Sequence, residues 1–268
     1  MMRFQQLLDS LPIGGVFVAF AIFALIVTEL GYRHGHWWQE RTQDEKQGPT
    51  GMIVGSLLAL MAFLLAIAMG MASDRFDTRR GLVLAEANSI GTTYLRAGYL
   101  PEPASSEIRA LLREYVPLRI VNNDLTDVRV RLARSADLQG KLWSIAEELA
   151  RATPESDVLA LFIDSLNETI DLNETRVTAG IYARVPETIL LLLFSGSMLT
   201  LAMVGYTAGL TQRRSPLTAI VLIALLGAVI TLVVDLDRPR DGLLKVNQQP
   251  LIDLQAQVGA LPPANPAK

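Results

Sequence analysis

The chain has 268 residues, half of them hydrophobic, with 24 lysines and arginines against 27 acids, a net charge of −3 and no cysteine. Its mean hydropathy is +0.31, and so large an apolar share lies above that of ordinary soluble domains. These figures exclude disulfide staples, thiolate catalysis and cysteine-based zinc or iron–sulfur sites. Basic residues alternate with acidic ones, so no basic stripe exists to neutralise a phosphate backbone, and nucleic acid is not an expected partner.

The average hides a division along the chain, because nearly all the charge lies between Asp74 and Arg184 while both ends carry apolar, almost uncharged runs. A hydrocarbon layer about 30 Å thick needs roughly 20 apolar helical residues. Four runs meet that need: Leu11–Leu30, Gly51–Ala72, Ile189–Leu210 and Leu217–Leu236. The first follows Arg3 and contains Ala19-Phe20-Ala21, which loosely mimics a signal-peptide cleavage site, but it continues well past Ala21 and reads as an anchor. Glu29 closes this run, and a carboxylate at membrane depth is a candidate functional group. Arg33, one turn later on the same face, makes a local ion pair the expected arrangement. Tyr32, Trp37 and Trp38 are amphipathic aromatics suited to headgroup depth. His34 and His36 lack a third ligand nearby, so neither a metal nor any cofactor is expected.

On the second run, Gly51, Gly55, Ser56 and Gly70 either let helices approach closely or line a pore. Just beyond it stand Arg75, Arg79, Arg80, Glu86 and Arg96. Two readings of these charges stay open. They form a collar that pairs with headgroups or with Asp74, Asp77 and Glu86, or the cations ring the mouth of a pore and attract anions.

Residues 73–186 read as a helical, water-exposed domain inserted between the second and third spans, since apolar residues recur at helical spacing without strand-like alternation. Its first helix continues straight out of the second span and ends at Leu100-Pro101-Glu102-Pro103. The second, from about Ala104 to Val121, carries the stripe Ile108, Leu111, Leu112, Tyr115 and is expected to bend at Pro117. Asp124 is the expected cap of the third. Thr153-Pro154-Glu155 is expected to open the fourth with a capping hydroxyl and a proline at the first position, and that helix runs on towards Pro186. Glu147-Glu148 reads as a solvated helix face, and the Asn167-Glu168-Thr169 and Asn173-Glu174-Thr175 sequons fall in mid-helix.

Asp235-Leu236-Asp237-Arg238-Pro239-Arg240 closes the fourth span, proline ending the helix and the charges anchoring it at the interface. The tail, 237–268, reads as ordered through Leu243, Leu244 and Val246 and as disordered from Leu261 onward. Charge does not decide orientation: one side carries Arg3, Arg75, Arg79, Arg80, Arg184, Arg238, Arg240 and Lys245, the other Arg33, Arg41, Lys46, Arg213 and Arg214, two of these in a very short loop.

Particular stretches carry a resemblance over nearly the whole chain. They are Glu29-Leu30-Gly31-Tyr32-Arg33, the segment Ser73-Asp74-Arg75-Phe76-Asp77-Thr78-Arg79-Arg80, and Glu86 through Arg96. Leu111-Leu112-Arg113-Glu114-Tyr115 and Asp235-Leu236-Asp237-Arg238-Pro239 with Pro250 complete the set. In these the chain resembles the bestrophin-like domain family of bacterial membrane proteins, itself distantly similar to bestrophins. The resemblance implies an all-α, four-span, pentameric anion channel in which span two lines the pore and a helical region lies between spans two and three. It also implies a multi-pass protein of the bacterial inner membrane with both termini and the insert in the cytoplasm.

Bestrophin necks carry bulky apolar side chains one turn apart on the second span, and the comparable row here is Ala59, Phe63, Ile67 and Met71. Phe63 and Ile67 then either form a hydrophobic constriction that gates by dewetting or are ordinary lipid-facing or packing side chains. No acidic run like the calcium-binding segment of animal bestrophins is present. The expected function is thus a homo-oligomeric ion channel, most simply for anions, with membrane lipids and small ions as further partners. The alternative is a membrane-anchored helical scaffold or sensor without a pore. An enzyme is not expected, since no nucleophile with its base, phosphate loop or metal cluster appears.

Overall fold

The computed structural model describes residues 3–41, 49–120, 125–238 and 242–260. Among these, all regular structure is helical: α1 (Arg3–Ser10), α2 (Ile13–Gln39), α3 (Thr50–Arg96), α4 (Ala104–Arg119), α5 (Leu125–Ala152), α6 (Asp157–Ile181), α7 (Glu187–Thr211), α8 (Pro216–Asp237) and α9 (Gln249–Ala260). One turn of 3-10 helix, Ala97–Tyr99, follows α3. The expected cap Asp124, the Pro239-Arg240 break and the expected disorder from Leu261 lie outside the described residues. Four helices, α2, α3, α7 and α8, are long and apolar enough to cross a membrane.

The chain divides into two compact units, Met1–Phe76 with Arg184–Lys245, and Asp77–Ala183 with Val246–Lys268. The core of the first unit joins Val16, Phe20 and Ala24 of α2, Met61, Leu65 and Ala68 of α3, Leu190, Leu193 and Leu201 of α7, and Ile223, Ile230 and Val233 of α8. Helix α2 runs on past the expected end at Leu30 as far as Gln39, and the reason is its seat on α7. A Cβ at Gly31 would overlap the Ala202 carbonyl and one at Gly35 the Tyr206 carbonyl. The partners are reciprocal, for a Cβ at Gly205 would overlap the Thr28 carbonyl and one at Gly209 that of Tyr32. Two glycine pairs, each four residues apart, thus bring two backbones into direct contact, as small residues do where lipid offers no hydrophobic drive for helices to associate. Helix α1, not anticipated from the sequence, packs Leu8 and Phe4 onto this core. The Phe4 amide donates to Glu187 Oε1 at 2.8 Å and the Gln5 amide group to the Val185 carbonyl at 2.8 Å.

The second unit packs Val83, Ile90 and Tyr94 of α3, Ile108, Leu112, Tyr115 and Val116 of α4, Leu138 and Leu142 of α5, and Leu159, Phe162 and Leu166 of α6 around one core. Of the expected α4 stripe, Ile108, Leu112 and Tyr115 are fully buried and Leu111 packs at the margin. The start of α6 differs from the expectation. The Thr153 hydroxyl donates back to the Leu149 carbonyl at 3.0 Å and so finishes α5. Ser156, instead, caps α6 by accepting from the Leu159 amide at 3.3 Å. The tail contributes α9, whose Leu251, Leu254 and Val258 are buried in the same core.

The glycine contacts predict that Gly35→Val or Gly205→Val lowers stability in detergent by about 1–3 kcal/mol or more, read as a fall in the thermal unfolding midpoint. Gly140→Ala is the control, since nothing lies within 4 Å of a Cβ there. Removing a helical glycine at an open position should raise stability by roughly 0.5–1 kcal/mol.

Candidate functional site

The membrane-spanning part of α3 has two unlike faces. Val54, Met61, Leu65, Ala68 and Ala72, spaced at helical intervals, are buried. On the other side Ser56 and Ala59 are exposed, Phe63 is 62% exposed and Ile67 45%. Gly51, Gly55 and Gly70 join this side, and a Cβ on any of them would meet nothing within 4 Å. Close packing within the chain therefore does not account for these glycines, unlike those of α2 and α7. The open stripe contains every residue of the second span singled out as a pore or gate candidate: Ser56, Ala59, Phe63 and Ile67.

The charges that follow are not one group. Arg80 is exposed, Arg75 half-buried and Arg79 buried. The Arg96 guanidinium crosses to α6, donating to the Leu161 carbonyl at 2.6 Å with Asp164 at 3.8 Å. Glu86 departs from the surface position expected of it and is 0% exposed.

That burial is possible because two cations come with it. Arg119 Nε donates to Glu86 Oε1 at 2.6 Å, and Arg176 Nη1 donates to Oε2. Arg176 is held in turn by the Arg119 carbonyl at 3.1 Å and by Gln248 Oε1, just before α9, at 2.8 Å. One carboxylate thus ties α3, α4, α6 and the tail together. The Arg119 guanidinium lies 5.8 Å from the centre of the Tyr115 ring, within reach of a cation–π contact, and Gln139 donates to the Tyr115 hydroxyl at 3.0 Å. Burial pushes the Tyr115 phenol up to about 12, against the pull of the nearby Arg119 charge. Next to this cluster, Thr93 and Thr169 share a hydrogen bond of 3.0 Å, Ser89 and Thr169 one of 2.9 Å, and Thr93 also donates to the Ser165 carbonyl at 2.9 Å. Thr169 of the first sequon is buried in this cluster, and Asn173 of the second is buried as well.

In the first unit a second set of charges closes one end of the span bundle. The charges expected to anchor α8 at the interface, Asp235, Asp237 and Arg238, are all buried against protein. Asp235 accepts from the Leu243 and Leu244 amides at 2.9 and 3.0 Å, and a Cβ at Gly242 would strike its carboxylate. Asp237 accepts from the Val185 amide at 2.6 Å and from Arg184 Nε at 3.1 Å, while Arg184 also forks onto Asp9 at 2.6 and 3.0 Å. Burial works against the Arg184 charge, but its bonds to Asp9 and the charge of Asp237 outweigh this and hold its pKa above the ordinary arginine value. Arg238 donates to the carbonyls of Leu8 and Leu11.

At the far end of α2, Glu29 accepts from Arg33 at 3.0 Å and also pairs with Arg214, which comes from the α7–α8 connection. Sequence reasoning did not connect Arg214 to this pair. His34 stacks against Trp37 and faces Tyr206, each at 5.8 Å between ring centres, and His36 lies 3.8 Å from Glu40.

Four candidate spans, an all-α fold and buried charge clusters at helix ends define a multi-helix membrane protein. The chain belongs to the Bestrophin-like domain family, whose model matches residues 18–251. Among solved structures it is similar to two point variants of a bacterial bestrophin homolog from Klebsiella pneumoniae. The first shares 17% identity with a TM-score of 0.66, covering 90% of this chain and 94% of that one. The second shares 15% identity with a TM-score of 0.63, covering 90% and 99%. A crystal structure described as a membrane protein is also similar, at 15% identity and a TM-score of 0.55. No curated protein sequence matches the chain.

Glu86→Gln keeps the side-chain shape but leaves two buried cations with no anion, so stability should fall by about 3–5 kcal/mol in denaturant or thermal unfolding. Replacing the set together, as Glu86→Met with Arg119→Leu and Arg176→Met, should recover most of that loss. The Tyr115 shift predicts a second effect. A phenol that titrates at 10.0 when unfolded and about 12 when folded binds its proton more tightly in the native state, so its contribution is complete below pH 10 and is lost as pH rises towards 12. In absorbance titration of phenolate, Tyr115→Phe should remove a component that titrates near pH 12; an unchanged curve would contradict this.

Proposed function

We propose that the protein is a homo-oligomeric ion channel, most simply anion-selective, in which α3 lines a pore on the symmetry axis. The observation that carries this reading is the open stripe of α3. Small residues, Gly51, Gly55, Ser56, Ala59 and Gly70, leave room along it, while Phe63 and Ile67 supply two bulky apolar side chains one turn apart. In this reading the pore is formed by several copies placed around an axis, and a pentamer follows the layout of the family's namesakes. Phe63 and Ile67 form the constriction, which closes by excluding water. Arg75 and Arg80, beyond the span, favour anions at its mouth. The chain sits in the bacterial inner membrane with its termini and helical unit in the cytoplasm.

Planar-bilayer recording of the purified, reconstituted protein tests the reading. Chloride current is expected, and Phe63→Ser should increase it by about twofold or more by wetting the constriction. Imaging of the detergent-extracted particle should show a closed ring. A monomeric particle, or reconstituted protein that passes no current, would overturn the proposal and favour the scaffold.

A further inference from the structure

We infer that a cavity between α2, α7 and the start of α8 binds one anionic phospholipid, with Arg213 and Arg214 on its phosphate and part of an acyl chain in the inner end. The cavity has a volume of about 320 Å³, within the usual range for small-molecule sites. Its inner wall is apolar, formed by Leu25, Val204, Ala208, Ala219 and Leu222. Its mouth is polar, formed by Thr28, Tyr32, Arg213, Arg214, Ser215 and Thr218.

Depth and charge identify the occupant. Arg213 and Arg214 fall between Thr211, where α7 ends, and Pro216, where α8 begins. Since both helices are candidate spans, the pair stands at the boundary where headgroup phosphates lie. From Tyr32 to Leu25 is about 10 Å along α2, and from Pro216 to Leu222 about 9 Å along α8, at 1.5 Å per residue. The apolar end therefore reaches into the hydrocarbon layer, further than a free phosphate at the mouth extends.

Among the described residues, the mouth also carries surplus positive charge. Glu29 is shared by Arg33 and Arg214, and Arg214 lies 4.8 Å from the centre of the Tyr32 ring, which fixes its direction. Arg213, exposed, has no ion pair among the described residues. Of the charged residues that line the cavity, two guanidinium groups against one carboxylate leave one positive charge for an anionic headgroup to neutralise, whereas a zwitterionic headgroup brings an ammonium with it. The inference rests on the chain's place in a membrane and not on conduction.

The test uses the full chain, purified in uncharged detergent, with phosphatidylglycerol, phosphatidylcholine and inorganic phosphate as separate additions, followed by native mass spectrometry and thermal unfolding. Phosphatidylglycerol is expected to bind about tenfold or more tightly than phosphatidylcholine and to raise the unfolding midpoint, while inorganic phosphate leaves it unchanged. Arg213→Gln with Arg214→Gln should reduce phosphatidylglycerol binding to the phosphatidylcholine level. Ala219→Phe, which fills the inner end without altering charge, should abolish the preference as well. Because the paired change also removes a partner of Glu29, the single Arg213→Gln and Ala219→Phe decide the matter if that variant fails to fold. Equal binding of the two lipids, protection by inorganic phosphate alone, or undiminished phosphatidylglycerol binding by Ala219→Phe would each overturn the inference. So would lipid binding that vanishes in the oligomer because a second copy fills the cavity.

Discussion

A carboxylate taken wholly out of water must find its counter-charges inside the protein, and Glu86 sets that demand for the entire helical unit. Its two oxygens take one hydrogen bond each from Arg119, at the end of α4, and Arg176, on α6. Each arginine has donors left over, so each must be satisfied again further out, Arg176 by the Arg119 carbonyl and by Gln248. The result is a chain of obligations that ends only when the segment before α9 is in place. An apolar core tolerates sliding of one helix past another at modest cost, but a buried ion pair does not, because any displacement exposes an uncompensated charge to a low dielectric. The register of α3, α4, α6 and the tail thus follows from one side chain.

The membrane-spanning unit reaches the same fixity by the opposite means. Lipid tails are as apolar as leucine, so burying leucine between spans drives little association. What α2 and α7 offer each other is backbone, through Gly31 and Gly35 on one side and Gly205 and Gly209 on the other. That contact explains why α2 is longer than a bilayer requires: the glycines lie beyond Leu30, so the helix must continue to deliver them. Its aromatic end, Tyr32 to Trp38, is carried along with them.

Most of the helices, though not α1 or α9, were legible in the sequence, because runs of apolar residues and prolines at Pro101, Pro154 and Pro186 are local signals. Less visible was what lies between helices. Arg119 continues the α4 stripe of Ile108, Leu112 and Tyr115, and Arg176 continues the α6 positions Phe162, Leu166, Thr169 and Asn173. A charge on an otherwise buried stripe asks for a partner of opposite sign, but the sequence reading singled out neither arginine, nor Glu86 as their common acceptor. The paired glycine spacing on α2 and α7 was equally present. Which glycines touch a backbone and which, like Gly51, Gly55 and Gly70, face open space is a matter of rotation about each helix, and spacing alone does not give it. The cap at Ser156 was missed for a different reason, since Thr153 has the same chemistry and only the preceding helix shows that its hydroxyl is already spent. Helix α9 was read only as an ordered stretch, its three apolar contacts being too few to stand out in sequence.

Within the span bundle the two ends treat charge differently, and the difference bears on what each is for. At the end formed by the start of α7 and the close of α8, Asp9, Arg184, Asp235, Asp237 and Arg238 have protein partners, many of them backbone amides and carbonyls. Among the described residues, the cluster serves to close loops around helix ends. At the other end, Glu29 is the acceptor for two arginines while Arg213 stands beside an open, mostly apolar cavity. A protein that can saturate buried charges at one boundary and leaves cations in surplus at the other has made the second boundary depend on its surroundings. In a bilayer those surroundings are phosphates, with chains attached.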